Sequence, residues 1–422
     1  MSKIFIYAIG CEQRSLDAQK ISNYLSKNNH KIIYNPKKAD IIIFITCAFI
    51  DRLENFSLNK IEDFKKLKGE LIVAGCLPSI NKESLSNIFK GKTLSTKELD
   101  KIDSIFPNHK IKFKDIDDAN KFPLNIDEKT LIGLLTKIFS RVRIIGKTYS
   151  KFKNYIYSNI FKERNQIIAR DFKNYKVMIN KKFYHIRTSD GCVNNCSYCA
   201  IKKAIRPFQS KPLKQCLNEL EKGIKIGYKN IVLDADDVGV WGIDIESNLP
   251  ELLDEMTKNQ EDYKIYLRSL NPRWFVKYID QLEDIVKRKK IAHMYIALQS
   301  GSPRILKLMK RYSDVEKLKN AFIRLKKIDP NLIYDTDIII GFPTETKEDF
   351  MQTLNFIRDA KIDTGLGIAF SCKTGTKAEE IEPKIDEKEI LKRMNLSKKY
   401  LKQVGYKIIS LPNNLFVFYK RK

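Results

Sequence analysis

The chain has 422 residues, which is long enough for two or three domains, each with its own hydrophobic core. Its formal net charge of +27 at pH 7 favours a partner rich in phosphate, such as a nucleic acid, although a general lysine bias explains the same charge. No apolar run reaches the roughly 18–20 residues of a transmembrane helix, and no signal peptide is visible. Eight cysteines without an export signal indicate a reducing compartment, so we expect a cytoplasmic protein that binds no membrane.

Strand and helix patterns alternate in the N-terminal region, which we assign to residues 1–99. Apolar runs at Lys3–Ile9, Asp40–Thr46 and Glu70–Gly75 are separated by helical spacing at Ser15–Leu25 and Leu53–Leu67. This alternation predicts a parallel sheet with helices on both faces, a doubly wound α/β domain.

A cysteine follows each of the three apolar runs: Cys11, Cys47 and Cys76. Ligands of open parallel sheets bind beyond the carboxyl ends of the strands, so the three thiols are expected to meet at one edge. They predict a metal-cluster site, although a free cysteine is often simply buried.

Residues 100–182 contain no such motif and form a basic linker or insertion. Leu131–Gly146 has the pattern of a basic amphipathic helix, which packs on its own domain or contacts a membrane, a partner or RNA. Tyr149–Tyr175 mixes aromatic and basic residues, a composition that suits stacking on unpaired bases but equally suits ordinary packing.

Three more thiols, Cys192, Cys196 and Cys199, follow a predicted strand and are spaced Cys-x3-Cys-x2-Cys. Three thiolates on one loop can hold an iron–sulfur cluster and leave one iron open to another ligand. A zinc site requires a fourth ligand, and the nearest histidine, His185, lies on the preceding strand. A disulfide framework is a poor interpretation of three closely spaced cysteines. With Tyr198 before the last cysteine, the motif resembles the signature of the radical S-adenosylmethionine (SAM) enzymes.

The region 183–395 predicts six strands with crossover helices, an open (β/α)6 partial barrel with its chemistry at the carboxyl ends of the strands. The six strands are His185–Ser189, Asn230–Asp234, Lys264–Arg268, Ala292–Leu298, Leu332–Ile340 and Gly365–Phe370. The helical patterns between them are Pro212–Gly223, Asn248–Met256, Trp274–Val286, Val315–Lys327 and Lys347–Ala360.

Polar or glycine-bearing motifs end several of these strands, and the radical SAM resemblance implies that they contact SAM. The candidate SAM-binding residues are Tyr198, Asp236, Asp237, Arg268, Ser269, Gln299, Ser300 and Gly341. The carboxylates suit an ammonium group, the arginine suits a carboxylate and Ser269 suits a ribose. Other interpretations are a turn or helix cap for the aspartates and a surface ion pair for Arg268.

A cysteine-bearing doubly wound domain ahead of a radical SAM motif looks like the methylthiotransferase family. The matching segments are Gly10-Cys11, Thr46-Cys47-Ala48, Ala74–Pro78, Asp237–Gly242, Leu298–Ser313, Asp337–Phe350 and Phe370–Ala378, and Asn271-Pro272 resembles the threonylcarbamoyladenosine-modifying branch. The resemblance implies two 4Fe–4S clusters, an auxiliary one on Cys11, Cys47 and Cys76 and a radical SAM cluster on the other triad. It further implies SAM as cofactor and an external electron donor, and Lys373 is a candidate substrate contact.

Substrates of that family are adenosines beside the tRNA anticodon or an aspartate of a ribosomal protein. We expect carbon 2 of N6-threonylcarbamoyladenosine in tRNA, because the branch motifs and the charge favour it. The family's usual C-terminal β-domain for RNA binding is not expected in the short tail 396–422. The alternatives are the ribosomal protein, another substrate, a non-catalytic iron–sulfur RNA-binding protein and a zinc module.

Overall fold

The computed structural model describes residues 1–121, 183–411 and 414–420. The predicted segments Leu131–Gly146 and Tyr149–Tyr175 lie outside these ranges. Within them, no helix is both long enough and apolar enough to cross a membrane.

The N-terminal sheet has five strands, all parallel, in the order β2-β1-β3-β4-β5. The strands are β1 (Lys3–Ala8), β2 (Lys31–Ile33), β3 (Ile41–Thr46), β4 (Glu70–Gly75) and β5 (Thr93–Ser95), and the helices are α1 (Glu12–Lys27), α2 (Asp51–Lys65), α3 (Leu77–Ile80), α4 (Lys82–Ile88) and α5 (Ile102–Ile105). The three predicted strands are the central ones. The two edge strands were not predicted, because three residues are too few to show an alternating pattern.

Helices cover both faces of this sheet, which confirms the doubly wound fold. Side chains alternate along β3: Ile42 and Phe44 lie in one apolar core, while Ile43 and Ile45 lie in the other. A strand buried on both faces is continuously apolar, and this is why Ile41–Thr46 contains five apolar residues in succession.

The second sheet has eight strands in the order β14-β15-β13-β12-β11-β10-β9-β6. They are β6 (Phe183–Arg187), β9 (Asn230–Asp234), β10 (Lys264–Leu270), β11 (Ile291–Ile296), β12 (Ile333–Ile340), β13 (Thr364–Ala369), β14 (Tyr406–Leu411) and β15 (Leu415–Lys420), with a separate pair β7 (Ser189–Asp190) and β8 (Gln209–Ser210). The six strands from β6 to β13 are parallel and lie in chain order, which confirms the predicted open barrel. The last two strands extend the sheet as an antiparallel hairpin.

Helices alternate with the barrel strands and bury the outer face of the sheet. They are α6 (Leu213–Lys225), α7 (Leu249–Lys258), α8 (Pro272–Lys277), α9 (Ile279–Lys287), α10 (Pro303–Leu308), α11 (Val315–Ile328), α12 (Lys347–Asp359) and α13 (Glu387–Gln403). Short 3-10 helices occur at Pro36–Lys38, Thr96–Lys101, Phe113–Asp115, Ala200–Lys203, Val238–Val240 and Lys377–Glu380. The single helix predicted over Trp274–Val286 is wrong: it is two helices, α8 and α9, which meet at Tyr278.

The two sheets contact each other through the segments that flank the second cysteine triad. Ala200 and Ala204 pack into the core of the N-terminal sheet. The carbonyl of Asn120 accepts a hydrogen bond from the amide of His185 at 2.8 Å, and its side chain accepts one from the Tyr184 hydroxyl at 2.9 Å. These contacts hold the carboxyl ends of both sets of strands around a common space.

Candidate functional site

A cavity of about 290 Å³ lies between the two sheets, and loops at the carboxyl ends of strands from both sheets line it. All six cysteines of the two predicted triads are in its wall: Cys11, Cys47, Cys76, Cys192, Cys196 and Cys199. Thiols that come from distant parts of the sequence therefore share one chamber. The two remaining cysteines, buried Cys216 and exposed Cys372, are not among the lining residues.

Tight backbone turns aim these thiols into the cavity. Gly75, just before Cys76, has φ of +98°, and a Cβ on it would lie 2.4 Å from the carbonyl oxygen of Thr46. Gly191, just before Cys192, has φ of +76°, and its Cβ would lie 2.6 Å from the carbonyl oxygen of Arg206. Only glycine fits such a conformation in so little space, so both turns depend on the residue before the cysteine.

The Cys192–Cys199 loop is held by its own Asn194 side chain and by two basic side chains outside it. Asn194 donates its side-chain N–H to Cys192 Sγ at 3.1 Å and to Asp237 Oδ2 at 2.5 Å. Lys202 Nζ donates to the carbonyls of Cys192 and Asn194. Arg311 Nη1 lies 3.6 Å from Cys196 Sγ. Hydrogen bonds from the protein itself therefore hold this loop.

Burial raises the pKa of several thiols in the cavity. Burial, with a further contribution from Asp237, raises the pKa of Cys192 to about 12, and burial with Cys196 nearby raises that of Cys199 to about 11. The pKa of Cys76 is also raised by burial, against the opposing effect of Arg14. These thiols carry protons near neutral pH, so the binding of iron would release those protons.

The chemistry of the site fits two anionic clusters. A buried arginine stands beside each triad: Arg14 beside Cys11 and Cys76, and Arg311 beside Cys196. Within the described residues, the Nε atoms of both arginines, and Nη1 of Arg14, are buried without a hydrogen-bond partner. A thiolate-ligated cluster would supply a negative acceptor for these N–H groups, in addition to the Asp17 carboxylate that already pairs with Arg14.

A mononuclear metal site fits less well. Across residues 1–121, 183–411 and 414–420, no three His, Cys, Asp or Glu side chains come together closely enough to hold a metal ion. Zinc ligands sit only about 2.0–2.3 Å from the ion. Thiols that share a cavity without this convergence suit a larger, multi-iron group.

Six of the predicted SAM contacts line the same cavity: Tyr198, Asp236, Asp237, Arg268, Ser269 and Gln299. Asp237 also has a structural role, because its Oδ1 accepts hydrogen bonds from the amides of Gly239 at 3.0 Å and Asn271 at 3.2 Å. Asp236 Oδ2 accepts one from the amide of Gly191 at 3.1 Å, and burial raises the pKa of both aspartates.

Three predicted contacts, Ser300, Gly341 and Lys373, are not among the residues that line the cavity. Ser300 is fully buried against Thr353, with 3.2 Å between the hydroxyl oxygens. Gly341 donates its amide to Glu345, and a Cβ on it would meet Ile390 at 2.4 Å.

Lys373 is buried and ion-paired with Asp51 at 2.7 Å and Glu54 at 2.6 Å. It joins the barrel to α2, because a buried ammonium group needs nearby carboxylates.

The sequence analysis did not identify Arg14, Glu12 or Asn194 as site residues. Arg14 follows Cys11 by three residues, so one turn of α1 places both on the same side of the helix. Asn194 lies inside the cysteine motif itself. For Arg14 and Asn194, this closeness to a cysteine was a weak sequence signal. An isolated Arg or Asn in a sequence seldom indicates a site.

Two family models match this chain. The radical SAM superfamily matches residues 186–357, and the uncharacterized protein family UPF0004 matches residues 3–95. The structure of the radical SAM methyltransferase TsrM from Kitasatospora setae, with cobalamin and a [4Fe-4S] cluster bound, superimposes with a TM-score of 0.56 at 10% identity. It covers 87% of this chain and 75% of that one. At that identity the similarity shows the fold alone.

Curated relatives match nearly the whole chain. The probable threonylcarbamoyladenosine tRNA methylthiotransferase of Methanocaldococcus jannaschii is 28% identical over 411 residues, covering 96% of this chain and 85% of the relative. The ribosomal protein uS12 methylthiotransferase RimO of Clostridium botulinum is 28% identical over 393 residues, covering 91% and 78%. The chain therefore carries a radical SAM domain and a UPF0004 domain, and over nearly its whole length it is similar to radical SAM methylthiotransferases, enzymes whose cofactors are SAM and two 4Fe–4S clusters.

Proposed function

We propose that this enzyme inserts a methylthio group at carbon 2 of N6-threonylcarbamoyladenosine beside the anticodon of tRNA. The observation that carries the proposal is the single cavity shared by both cysteine triads. A C–H bond that is to be replaced by a C–S bond must lie within reach of both the activating and the sulfur-bearing centre. The name of the Methanocaldococcus jannaschii relative supports this substrate.

We assign the auxiliary cluster to Cys11, Cys47 and Cys76 and the radical SAM cluster to Cys192, Cys196 and Cys199. When bound, the second cluster supplies the electron that cleaves SAM. The protein's part is to hold the loop, through Asn194, Lys202 and Arg311.

Ser269 and Gln299 are proposed as SAM contacts together with Tyr198, Asp236 and Asp237. Both Ser269, with φ of +59°, and Gln299, with φ of +70°, have left-handed backbone at the ends of barrel strands. Non-glycine residues seldom adopt this conformation, and such strain clusters at ligand sites.

The basic charge supports a tRNA substrate, since Lys and Arg side chains attract backbone phosphates. We further propose that residues 100–182 contribute to tRNA binding. A cytoplasmic location with an external electron donor completes the proposal, because all eight cysteines are free thiols and thiol-ligated iron needs reducing conditions.

The test is anaerobic reconstitution with iron and sulfide, followed by SAM, a chemical reductant and tRNA that contains threonylcarbamoyladenosine. Nucleoside mass spectrometry should show the methylthio derivative of that nucleoside. The matched control is tRNA that lacks the threonylcarbamoyl group, which should stay unmodified. The variant with Cys192, Cys196 and Cys199 replaced by Ala should give no product.

A second candidate substrate is ribosomal protein uS12, since the RimO relatives are as similar as the tRNA-modifying ones. The same reaction with uS12 in place of tRNA separates the two. A methylthio mass shift on uS12 with none on tRNA would overturn the tRNA proposal and leave the reaction type intact.

A further inference from the structure

An ion pair crosses the cavity between the two triads. Arg268 on β10 pairs through Nη2 with Oε1 of Glu12, the residue directly after Cys11. The two residues are 256 positions apart in the chain. Glu12 begins helix α1 of the N-terminal region, whereas Arg268 lies on a strand of the barrel. Both side chains line the cavity, and their exposed fractions are only 12% and 16%.

The barrel holds the Arg268 guanidinium in a set position. It lies over the ring of Tyr295, 5.2 Å from the ring centroid. The Tyr295 hydroxyl in turn donates a hydrogen bond to Asp337 Oδ2 at 2.5 Å, which fixes the ring. A guanidinium that stacks on an aromatic ring still points its N–H groups outward from the ring, in a geometry that suits two-point contact with a carboxylate.

The position of Arg268 distinguishes it from the arginine beside the radical SAM triad. Arg311, with Nη1 3.6 Å from Cys196 Sγ, serves the triad to which SAM binds. The carboxylate now paired with Arg268 comes instead from α1, next to Cys11 of the auxiliary triad. A carboxylate that replaced Glu12 would therefore lie between the triads, where the substrate must sit.

We propose that Arg268 recognises a free carboxylate of the substrate and that Glu12 holds this place until the substrate binds. This inference rests on the proposed function and deepens it, because the threonylcarbamoyl group ends in such a carboxylate. Arg268 is then a contact of the substrate and not of SAM. A substrate without the carboxylate binds less well, since displacing Glu12 would cost the buried guanidinium an ion pair that this substrate does not replace.

The test compares two anticodon stem-loop RNAs, one with the threonylcarbamoyl carboxylate free and one with it blocked as a methyl ester. For the wild-type enzyme we expect kcat/KM for the free acid to exceed that for the ester by roughly 10- to 100-fold, the range of a charge-assisted hydrogen bond. In Arg268→Gln this ratio should fall to about 1, through loss of rate on the acid alone. Arg268→Lys should restore part of the preference.

Three controls separate substrate recognition from damage to the site. Arg268→Gln should keep the wild-type iron content, and its rate of SAM cleavage without substrate should fall far less than its rate on the acid. Arg324→Gln, which removes an arginine from an exposed ion pair with Asp280 and Glu283, should change neither ratio nor rate. Glu12→Gln should lower KM for the acid, because the competing carboxylate is gone.

Loss of SAM cleavage in Arg268→Gln, or an equal loss of kcat/KM on the acid and the ester, would overturn the inference. Arg268 would then act in SAM binding or in stabilising the fold. If wild-type enzyme leaves both RNAs unmodified, the tRNA proposal fails. The same comparison is then made with two uS12 loop peptides, one with its target aspartate intact and one with that aspartate changed to asparagine. Equal rates on those two peptides would also overturn the inference. A preference for the aspartate peptide that disappears in Arg268→Gln would support it.

Discussion

At the scale of single residues, Asp17 illustrates how the structure concentrates charge beside the site. Its carboxylate is 1% exposed and meets Arg187 at 2.8 Å, Arg206 at 3.0 Å and Arg14 at 3.2 Å. Burial alone would raise the pKa of Asp17, but the three guanidinium groups hold it well below its usual range. Arg14 lies beside Cys76 of the first triad, and Arg206 forms an ion pair with Asp190 near the second triad. Asp17 therefore connects the two halves of the site.

We therefore expect Asp17→Ala to destabilise the apoprotein by about 3–5 kcal/mol, because it leaves three buried or half-buried guanidinium groups without their shared carboxylate. Thermal or denaturant unfolding measures the change. Asp280→Ala removes a carboxylate from an exposed pair and should cost less than about 1 kcal/mol. Equal losses in the two variants would show that the network does not stabilise the fold.

At the scale of elements, the start of α12 is reinforced by one carboxylate. Asp349 and Thr346 form a capping box, with the Thr346 amide donating to Asp349 at 2.9 Å and the Asp349 amide donating to Thr346 at 3.2 Å. Ser302, at the start of α10, donates to the same carboxylate at 2.5 Å, and Arg304 forms an ion pair with it. Asp349 thus joins two helices that follow neighbouring strands.

This arrangement predicts a pH dependence. Burial would raise the pKa of Asp349, but the bonds from Arg304, Ser302 and Thr346 outweigh it and lower the pKa to about 2. Because the pKa is lower in the folded than in the unfolded chain, the stabilisation is complete above about pH 4 and is lost as the pH falls towards 2. Asp349→Ala should cost about 1–2 kcal/mol at neutral pH and remove that part of the acid sensitivity.

Denaturant titrations from pH 2 to pH 7 measure both effects. Asp359→Ala, at the exposed far end of the same helix, serves as the control and should change stability little. If the stability of Asp349→Ala still falls as steeply as that of the wild type between pH 4 and pH 2, Asp349 is not the source of this acid sensitivity.

Element prediction succeeded where the chain pattern was long and local. The six barrel strands and the three central strands of the first sheet are runs of at least five residues, and parallel strands buried on both faces leave a clear apolar signal. The break between α8 and α9 was missed because the apolar spacing continues across Tyr278 while the backbone turns. The edge strands β2 and β5 were missed because pairing with a neighbour, rather than their own composition, makes them strands.

At the scale of the whole molecule, the two triads should act as separable parts. Replacing Cys11, Cys47 and Cys76 by Ala should halve the iron bound, from about eight to about four atoms per chain, and should leave SAM cleavage intact while abolishing methylthiolation. Iron analysis and product assays measure this. The reciprocal triple variant at Cys192, Cys196 and Cys199 should retain about four iron atoms and lose both activities.

Loss of all iron in either triple variant would contradict this independence. It would indicate that the two sites assemble only together, through the contacts that Ala200 and Ala204 make with the N-terminal core.

The sequence by itself determined the fold class and both cysteine triads, because strand periodicity and motif spacing are local properties of the chain. It also placed each thiol of the two triads beyond a strand end, whereas the order of the strands in both sheets came from the structure. Only the tertiary structure decided which charges meet: Arg268 with Glu12, Asp17 with three arginines, and Lys373 with Asp51 and Glu54. The partners of a buried charge come from segments that packing brings together, often more than 150 residues apart, and a sequence pattern carries no trace of such pairings.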